Sequence, residues 1–347
     1  MKTIALFFGG RSGEYAVSLS SAAAVLRALD PRKYHPLPIG ITREGAWLYT
    51  DASPDEIAAD AWAARGLPCL LSPSDSHRGI FYLDRNGRLR RRVPDVIFSV
   101  LHGGAGEDGR MAGLFSMAGI PFVGAPTEGS ALAMNKALAK LLAREAGVPT
   151  LPFLTYTGGD VAALEKDAAA LGYPLFVKPL HGGSSIGAGI VREMCELCPA
   201  LARACDGGDG AMIEPYFPAR EVELAVIEEG GALRVSAAGE IEVADGFYDF
   251  AAKYQTSAAR LFSRARISRA CEERLRRYAA VIFRALGLTS LARVDFFVSR
   301  DERETIYFNE VNALPGFTEI SMFPRLLCEG RTLSALLDTL IDGARAR

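Results

Sequence analysis

No run in the 347-residue chain approaches the ~20 consecutive apolar residues that a membrane helix needs. The apolar opening, MKTIALFFGG, stops at Gly9-Gly10 with Arg11 directly behind it. It reads as a first buried strand rather than a secretory signal, which places the chain in the cytoplasm. A charge excess is also missing. The 39 Lys and Arg against 41 Asp and Glu leave a formal charge of −2. Such a balance supplies no chain-wide field for holding nucleic acid or an anionic membrane, although a local basic pocket for a small anion is compatible with it. Internal repeats and low-complexity tracts are absent. The six cysteines include one CxxC, Cys195 and Cys198. With no second pair, and with His181 in another loop, no zinc ligand set forms, and they read as reduced thiols. The dinucleotide fingerprint GxGxxG and the Walker A pattern are missing as well.

What remains is an ordinary globular composition, 49% hydrophobic and 23% charged, in a chain long enough for two or three lobes. Strand-like and helical stretches alternate, so the fold class is α/β. Thr3–Phe8, Tyr34–Ile41, Val96–Leu101 and Pro121–Val123 predict strands, with helices at Ser18–Leu29 and Met111–Ala118, together a small doubly wound sheet. Ser130–Ala146 predicts a helix carrying Lys136 and Lys140 on one face. Strands are expected at Leu175–Lys178, Ala211–Glu214 and Glu221–Ile227, with a hairpin partner at Leu233–Val243. A helix at Glu272–Leu286 precedes adjacent antiparallel strands at Ala292–Val298 and Ile306–Val311. Lobe boundaries are expected near residues 126 and 217, giving 1–126, 127–217 and 218–347.

Three clusters could carry chemistry. Lys178-Pro-Leu-His-Gly-Gly-Ser-Ser-Ile-Gly187 puts a Lys at a strand end before a loop of glycines and hydroxyls. Backbone N–H groups there can cradle phosphate, although a plain hairpin turn explains the spacing equally well. Arg293-Val-Asp295 and Asn309-Glu310-Val311-Asn312 are sharper. Alternation sends Arg293 and Asp295 to one face, and Glu310 with Asn312 to one face. Paired strands would then join two carboxylates, an amide and a guanidinium, an oxygen-rich set suited to Mg²⁺. The alternative is a solvated face of ion pairs, but Phe296, Phe297, Ile306 and Phe308 make these strands otherwise apolar. Gly9–Glu14 and His102–Gly109 are loops behind strands, each unremarkable alone.

In this order the segments resemble the D-alanine–D-alanine ligase family of the ATP-grasp superfamily. The matching stretches include FFGGRSGEYAVSLSSA, VLHGGAGEDG, ALAMNKALAK, PLFVKPLHGGSSIG, IEPYFPAREVE, FYDFAAKY, ARVDFF and FNEVNALPGFTEISMFP, spread over nearly the whole chain. The long first lobe is similar to the subgroup that also contains vancomycin-resistance ligases. The resemblance implies three lobes, with ATP clamped between two sheets. It implies Lys136, Lys178, Ser184, Ser185 and Lys253 near the phosphates, and Glu214 with Glu221 around adenine and ribose. Mg²⁺, or Mn²⁺ in its place, would rest on Asp295, Glu310 and Asn312. Arg293 and the Gly316 N–H would face the oxyanion. Glu14, Ser184 and Tyr254 would hold a lid (the segment Asp245–Leu261), Glu14 also meeting the first substrate's ammonium. His102, Ser321 and Met322 would line the substrate site.

The implied reaction joins two D-alanines through an acyl phosphate for peptidoglycan precursor synthesis, in a homodimer with neither nucleic-acid nor membrane partners. Met322 stands where D-serine- and D-lactate-using relatives commonly carry Arg, and Tyr254 is lacking in lactate-forming ones; both favour D-alanine. Tyr15, in place of a common His, points toward D-serine instead. A D-alanine–D-serine ligase and a non-catalytic nucleotide binder are the alternatives. An NAD-dependent dehydrogenase fails for want of the glycine fingerprint.

Overall fold

The structure is a computed structural model that describes residues 1–184, 186–207, 210–243 and 259–346. Among the described residues the strands form three sheets. The first contains β1 (Lys2–Gly9), β2 (Tyr34–Ile41), β3 (Trp47–Tyr49), β4 (Leu67–Ser72), β5 (Gly79–Leu83), β6 (Leu89–Arg92), β7 (Val96–Ser99) and β8 (Phe122–Val123). Their order is β6-β5-β4-β3-β2-β1-β7-β8. The pairs β1–β2, β1–β7 and β7–β8 are parallel, as a doubly wound sheet requires. Ile4 to Phe8 are fully buried because β1 is covered on both faces. Strands β3 to β6 add an antiparallel extension that alternation alone did not reveal. Its outer strand, Leu-Arg-Arg-Arg, is exposed, and its charges protect an open edge.

The second sheet, β11-β10-β12-β9, is antiparallel: β9 (Leu154–Tyr156), β10 (Leu175–Pro179), β11 (Gly189–Val191) and β12 (Ala211–Pro215). Helices Val161–Leu171 and Leu197–Ala204 complete its core. The third sheet holds β13 (Ala219–Glu229), β14 (Ala232–Val235), β15 (Gly239–Val243), β16 (Ala259–Phe262), β17 (Leu291–Ser299) and β18 (Ile306–Asn312). The expected single partner at Leu233–Val243 is thus two strands, each paired with β13. Along β17, Ala292, Val294, Phe296 and Val298 turn into a core shared with helix Arg269–Ala285. Arg293 and Asp295 alternate onto the opposite face.

Two helices differ usefully from expectation. The first begins at Tyr15 rather than Ser18, with Glu14 as its N-cap residue. The helix expected over Ser130–Ala146 is two, Thr127–Met134 and Lys136–Glu145. Asn135 separates them: its backbone is extended (ψ 101°) and its side chain accepts from the Leu138 N–H at 3.0 Å. This cap starts the second helix at Lys136 and aims its flank at the loop after β10.

Packing does not simply follow chain order. Ala133, Ala139 and Ala143 of these helices lie in the core of the third sheet. Helices Met322–Leu327 and Leu333–Asp342 bury Phe323, Leu337 and Ile341 against the helix that follows β1. Asp338 fixes that arrangement, accepting from Lys33 Nζ and the Tyr34 hydroxyl, each at 2.7 Å. The second sheet keeps its own core, and the small cluster Ala137, Leu180 and Met212 joins it to the helix Lys136–Glu145.

Candidate active site

The site is built on three neighbouring strands. In β13, β17 and β18 the register sets Glu223 opposite Asp295 and Asp295 opposite Glu310, a row of three carboxylates. Arg293 pairs with Asn312 in the next row. Between Phe296 and Asp295 the register shifts, leaving Asn309 as an extra residue on β18. Such a bulge re-aims side chains. Here Asn309 and Glu310 both line the cleft, while Phe308 and Val311 are buried.

Like charges in a row need cations. Arg293 donates from Nε and Nη2 to the two Asp295 oxygens at 2.8 and 2.7 Å, and its Nε lies 3.2 Å from Glu223. Burial opposes the guanidinium's charge, but Asp295 and Glu223 outweigh it and keep Arg293 firmly protonated. Lys136 Nζ lies 3.7 Å from Glu310 and donates to the Gly182 carbonyl at 2.6 Å. Deeper in, Glu214 is 1% exposed and bridges Lys140 and Lys178 at 2.6 and 2.7 Å. Burial alone would raise the Glu214 pKa; the two ammoniums reverse that and hold it at about 2. Lys140 has one carboxylate against complete burial and is pushed down to about 8. Lys178 also donates to the Asn309 side-chain oxygen at 3.0 Å.

These groups surround a cavity of about 410 Å³ between the second and third sheets. Lys136, Lys178, Glu214, Glu221, Asp295 and Glu310 line it, with Phe176, Tyr216 and Phe217 as an apolar wall. Beside it, a smaller cavity of about 90 Å³ is lined by Glu14, His102, Ser184, Arg293, Asn312, Gly316, Ser321 and Met322. Glu223 and Glu310 border both cavities. The carboxylate row is therefore the seam between a large cleft and a small one.

Long-range polar contacts shape the smaller cavity. The Ser184 hydroxyl donates to Glu14 across 170 residues of chain, from a backbone with φ +53°. The loop is thus a hairpin turn and a wall of the site at once. His102 Nδ1–H donates to the Leu314 carbonyl at 3.1 Å, and its Nε2 is hydrogen-bonded with the Ser21 hydroxyl, also at 3.1 Å. Ser21 in turn accepts the Phe317 N–H at 3.2 Å, fixing the backbone on both sides of Gly316. Glu107, half-buried and raised above the ordinary carboxylate range by desolvation, lies 3.5 Å from His102.

Comparison with known proteins gives a consistent answer. Family models for the "D-ala D-ala ligase N-terminus" and "D-ala D-ala ligase C-terminus" match residues 3–125 and 142–342. The chain belongs to the D-alanine–D-alanine ligase family. A D-alanine–D-alanine ligase of Thermoanaerobacter sp. (strain X514) is 40% identical over 98% of this chain and 96% of its own length. One from Bradyrhizobium sp. (strain ORS 278) is 42% identical over 99% and 95%. Among solved structures, the VanG D-Ala:D-Ser ligase from Enterococcus faecalis superposes with a TM-score of 0.89 at 37% identity, covering 98% of both chains. The D-alanine-D-alanine ligase from Coxiella burnetii gives 0.86 at 29%, covering 99% of this chain and 93% of that one. The sheets described above are accordingly those of the family's ATP-grasp fold.

Within this ligase family member, Ser185, Lys253 and Tyr254 lie outside the described residues, as does most of the expected lid; its last residues, from Ala259, belong to β16. Sequence reading missed Glu223; it had Asn309 in its second cluster, Lys140 on a helix face with Lys136, and Glu107 within the His102–Gly109 loop, but gave none of the three a role. Tyr15, whose identity pointed toward D-serine, is buried. Its hydroxyl donates to Asp60 at 2.8 Å and accepts from Trp62 Nε1 at 3.2 Å, with Arg43 stacked 3.8 Å over the ring. Burial and Asp60 push its pKa up to about 12. It anchors residues 43–62 rather than facing the small cavity.

Among the described residues no three His, Cys, Asp or Glu side chains converge as a metal site. A divalent ion here would rest on two carboxylates, an amide oxygen and phosphate oxygens, the incomplete protein shell that suits Mg²⁺. The CxxC cysteines are free. No helix among the described residues is long and apolar enough to cross a membrane.

Proposed function

We propose that this chain uses ATP to join two D-alanines into D-alanyl-D-alanine, releasing ADP and phosphate. The observation that carries this reading is the carboxylate row at the seam between a nucleotide-sized cleft and a cavity fit for small amino acids. In this reading the lobes 1–126, 127–217 and 218–347 close on the substrates, in a cytoplasmic homodimer.

Lys136 and Lys178 meet the phosphates, and the aromatic wall takes the base. Asp295, Glu310 and Asn312 would hold Mg²⁺, or Mn²⁺ in its place, which when bound neutralises charge on the transferring phosphoryl group. Glu14, oriented by Ser184, receives the ammonium of the first D-alanine and turns its carboxylate toward the seam. Phosphorylation makes that carboxylate an acyl phosphate. The second amine attacks it, and Arg293 with the Gly316 N–H faces the oxyanion that develops. The Ser21–His102–Leu314 links hold Gly316 in place before the reaction, so reorganisation costs less.

The second substrate rests on Met322. It is 3% exposed, and its sulfur packs so closely on Gly239 that a Cβ there would lie 2.8 Å away. This apolar contact gives a D-serine hydroxyl only a weak acceptor. Discrimination by such a pocket is modest, about a hundredfold at most. The D-serine reading keeps the VanG likeness in its favour. Product analysis with ATP and D-alanine, paired in turn with D-serine and D-lactate, tests both. D-Ala-D-Ala as the main product with stoichiometric phosphate supports the proposal. Mainly D-Ala-D-Ser overturns the Met322 argument, and nucleotide binding without phosphate release overturns the ligase reading.

A further inference from the structure

Glu223 is the member of the carboxylate row for which the reaction outlined above has no use. It is 5% exposed, borders both cavities, and stands opposite Asp295 in register. Side chains directly opposite across strands have Cβ atoms about 4.5–5.5 Å apart, so three carboxylates in one row repel unless cations intervene. The intervening cation for two of them is Arg293. Its Nε is shared: it donates to Asp295 at 2.8 Å and lies 3.2 Å from Glu223. Both Asp295 oxygens are taken by this one guanidinium.

Resting on the function proposed above, Asp295 must also serve a divalent cation. Such a cation would repel the guanidinium and loosen Arg293 from Asp295. A guanidinium whose side chain is only 17% exposed is destabilised without an anionic partner. We propose that Glu223 is a positioning residue. It retains Arg293 at the seam when Asp295 turns to the metal, and so presents the guanidinium to the reacting carbonyl rather than letting it fall back onto the metal ligand. Two consequences follow from one contact: Glu223 lowers the competition between Arg293 and the metal, and it fixes the direction of the charge that meets the oxyanion.

The decisive experiment is a double-mutant cycle with Glu223→Gln and Arg293→Met, read by kcat and by Mn²⁺ titration of the ADP-bound enzyme in electron paramagnetic resonance. Glu223→Gln keeps volume and an acceptor but removes the charge. The expected result is a kcat 10- to 100-fold lower with the KM for ATP changed less than threefold, and Mn²⁺ binding weakened at least threefold. In the Arg293→Met background the same substitution should change kcat and Mn²⁺ affinity less than twofold, since Glu223 would act through Arg293. Full additivity, or a Glu223→Gln variant with wild-type kcat and Mn²⁺ affinity, overturns the proposal. Should Glu223→Gln fail to fold, Glu223→Asp, which keeps the charge but withdraws it by one methylene, takes its place in the cycle with the same criteria. The Mn²⁺ arm needs no turnover. A wild type that forms no dipeptide would defeat the ligase reading while leaving the Glu223–Arg293 contact under test.

Discussion

Replacing Glu214 by Gln removes the one anion from a buried triad and leaves two ammoniums around a neutral amide. Glu214 is 1% exposed and Lys140 0%, so water cannot take over. Breaking such a pair costs about 3–5 kcal/mol. Proton linkage gives an independent figure. The folded-state pKa of about 2 lies below the ordinary 4.5, so the contribution is present above pH 4.5 and lost as pH falls toward 2. The full shift corresponds to about 3 kcal/mol, because Gln imitates the protonated acid. The stability gap between wild type and Glu214→Gln should therefore be about 3 kcal/mol at pH 6 and narrow to about 2 kcal/mol at pH 3.5. Urea unfolding at both pH values measures it directly. A gap under about 1 kcal/mol at pH 6, or one that does not shrink in acid, would refute the charged triad.

Glu310→Gln should abolish ATP-dependent dipeptide synthesis in a normally folded protein; wild-type turnover at limiting Mg²⁺ would reject its assignment to the metal. Tyr15→Phe should lose about 1–2 kcal/mol of stability through its bonds to Asp60 and Trp62. It should leave the ratio of D-alanine to D-serine as second substrate unchanged, and a shift toward either would show that Tyr15 reads the substrate. Ser21→Ala should strand the buried His102 Nε2 and the Phe317 N–H, lowering stability by about 1–3 kcal/mol and kcat more than the KM for ATP. Met322→Arg should raise relative use of D-serine in direct competition assays; an unchanged product ratio would remove Met322 from the specificity argument.

Much of the site was legible in the sequence, for a definite reason. Strand alternation is local, so Arg293, Asp295, Glu310 and Asn312 could be assigned to faces before any pairing was known. The bulge left a trace as well. Buried Ile306 and Phe308 are two residues apart, but the next buried position is Val311, and that skipped beat is Asn309. Glu223 had no such trace, because a glutamate within Arg-Glu-Val-Glu-Leu reads as a solvated charge until β17 is laid beside it. Lys140 was read on the same helix face as Lys136 but not as a buried charge; only Glu214, 74 residues away, explains its burial. The break at Asn135 was missed because the flanking residues are strong helix formers, and one capping amide overrides their propensity locally. The antiparallel extension was hidden for another reason. Its strands are short and half exposed, so they lack a clean two-residue period.

The three sheets meet at the site through polar contacts, and this has a mechanical meaning. Glu14–Ser184 joins the first sheet's loop to the second, Lys178–Asn309 joins the second to the third, and His102–Leu314 joins the first to the third. The apolar cores divide differently. One core unites the first sheet's helix with the C-terminal helices and part of the third sheet, while the second sheet keeps its own. Apolar burial is roughly proportional to area and does not come undone piecemeal, whereas a single hydrogen bond at a solvent-lined cleft exchanges with water at a net cost of about 1 kcal/mol. The buried Lys140–Glu214 bridge and the Ala137, Leu180 and Met212 cluster tie the second sheet to the helix Lys136–Glu145, whose Ala139 and Ala143 lie in the third sheet's core. Ser184 and Lys178, the second sheet's partners in two of the polar contacts, are also the groups that meet substrate in the ligase reading.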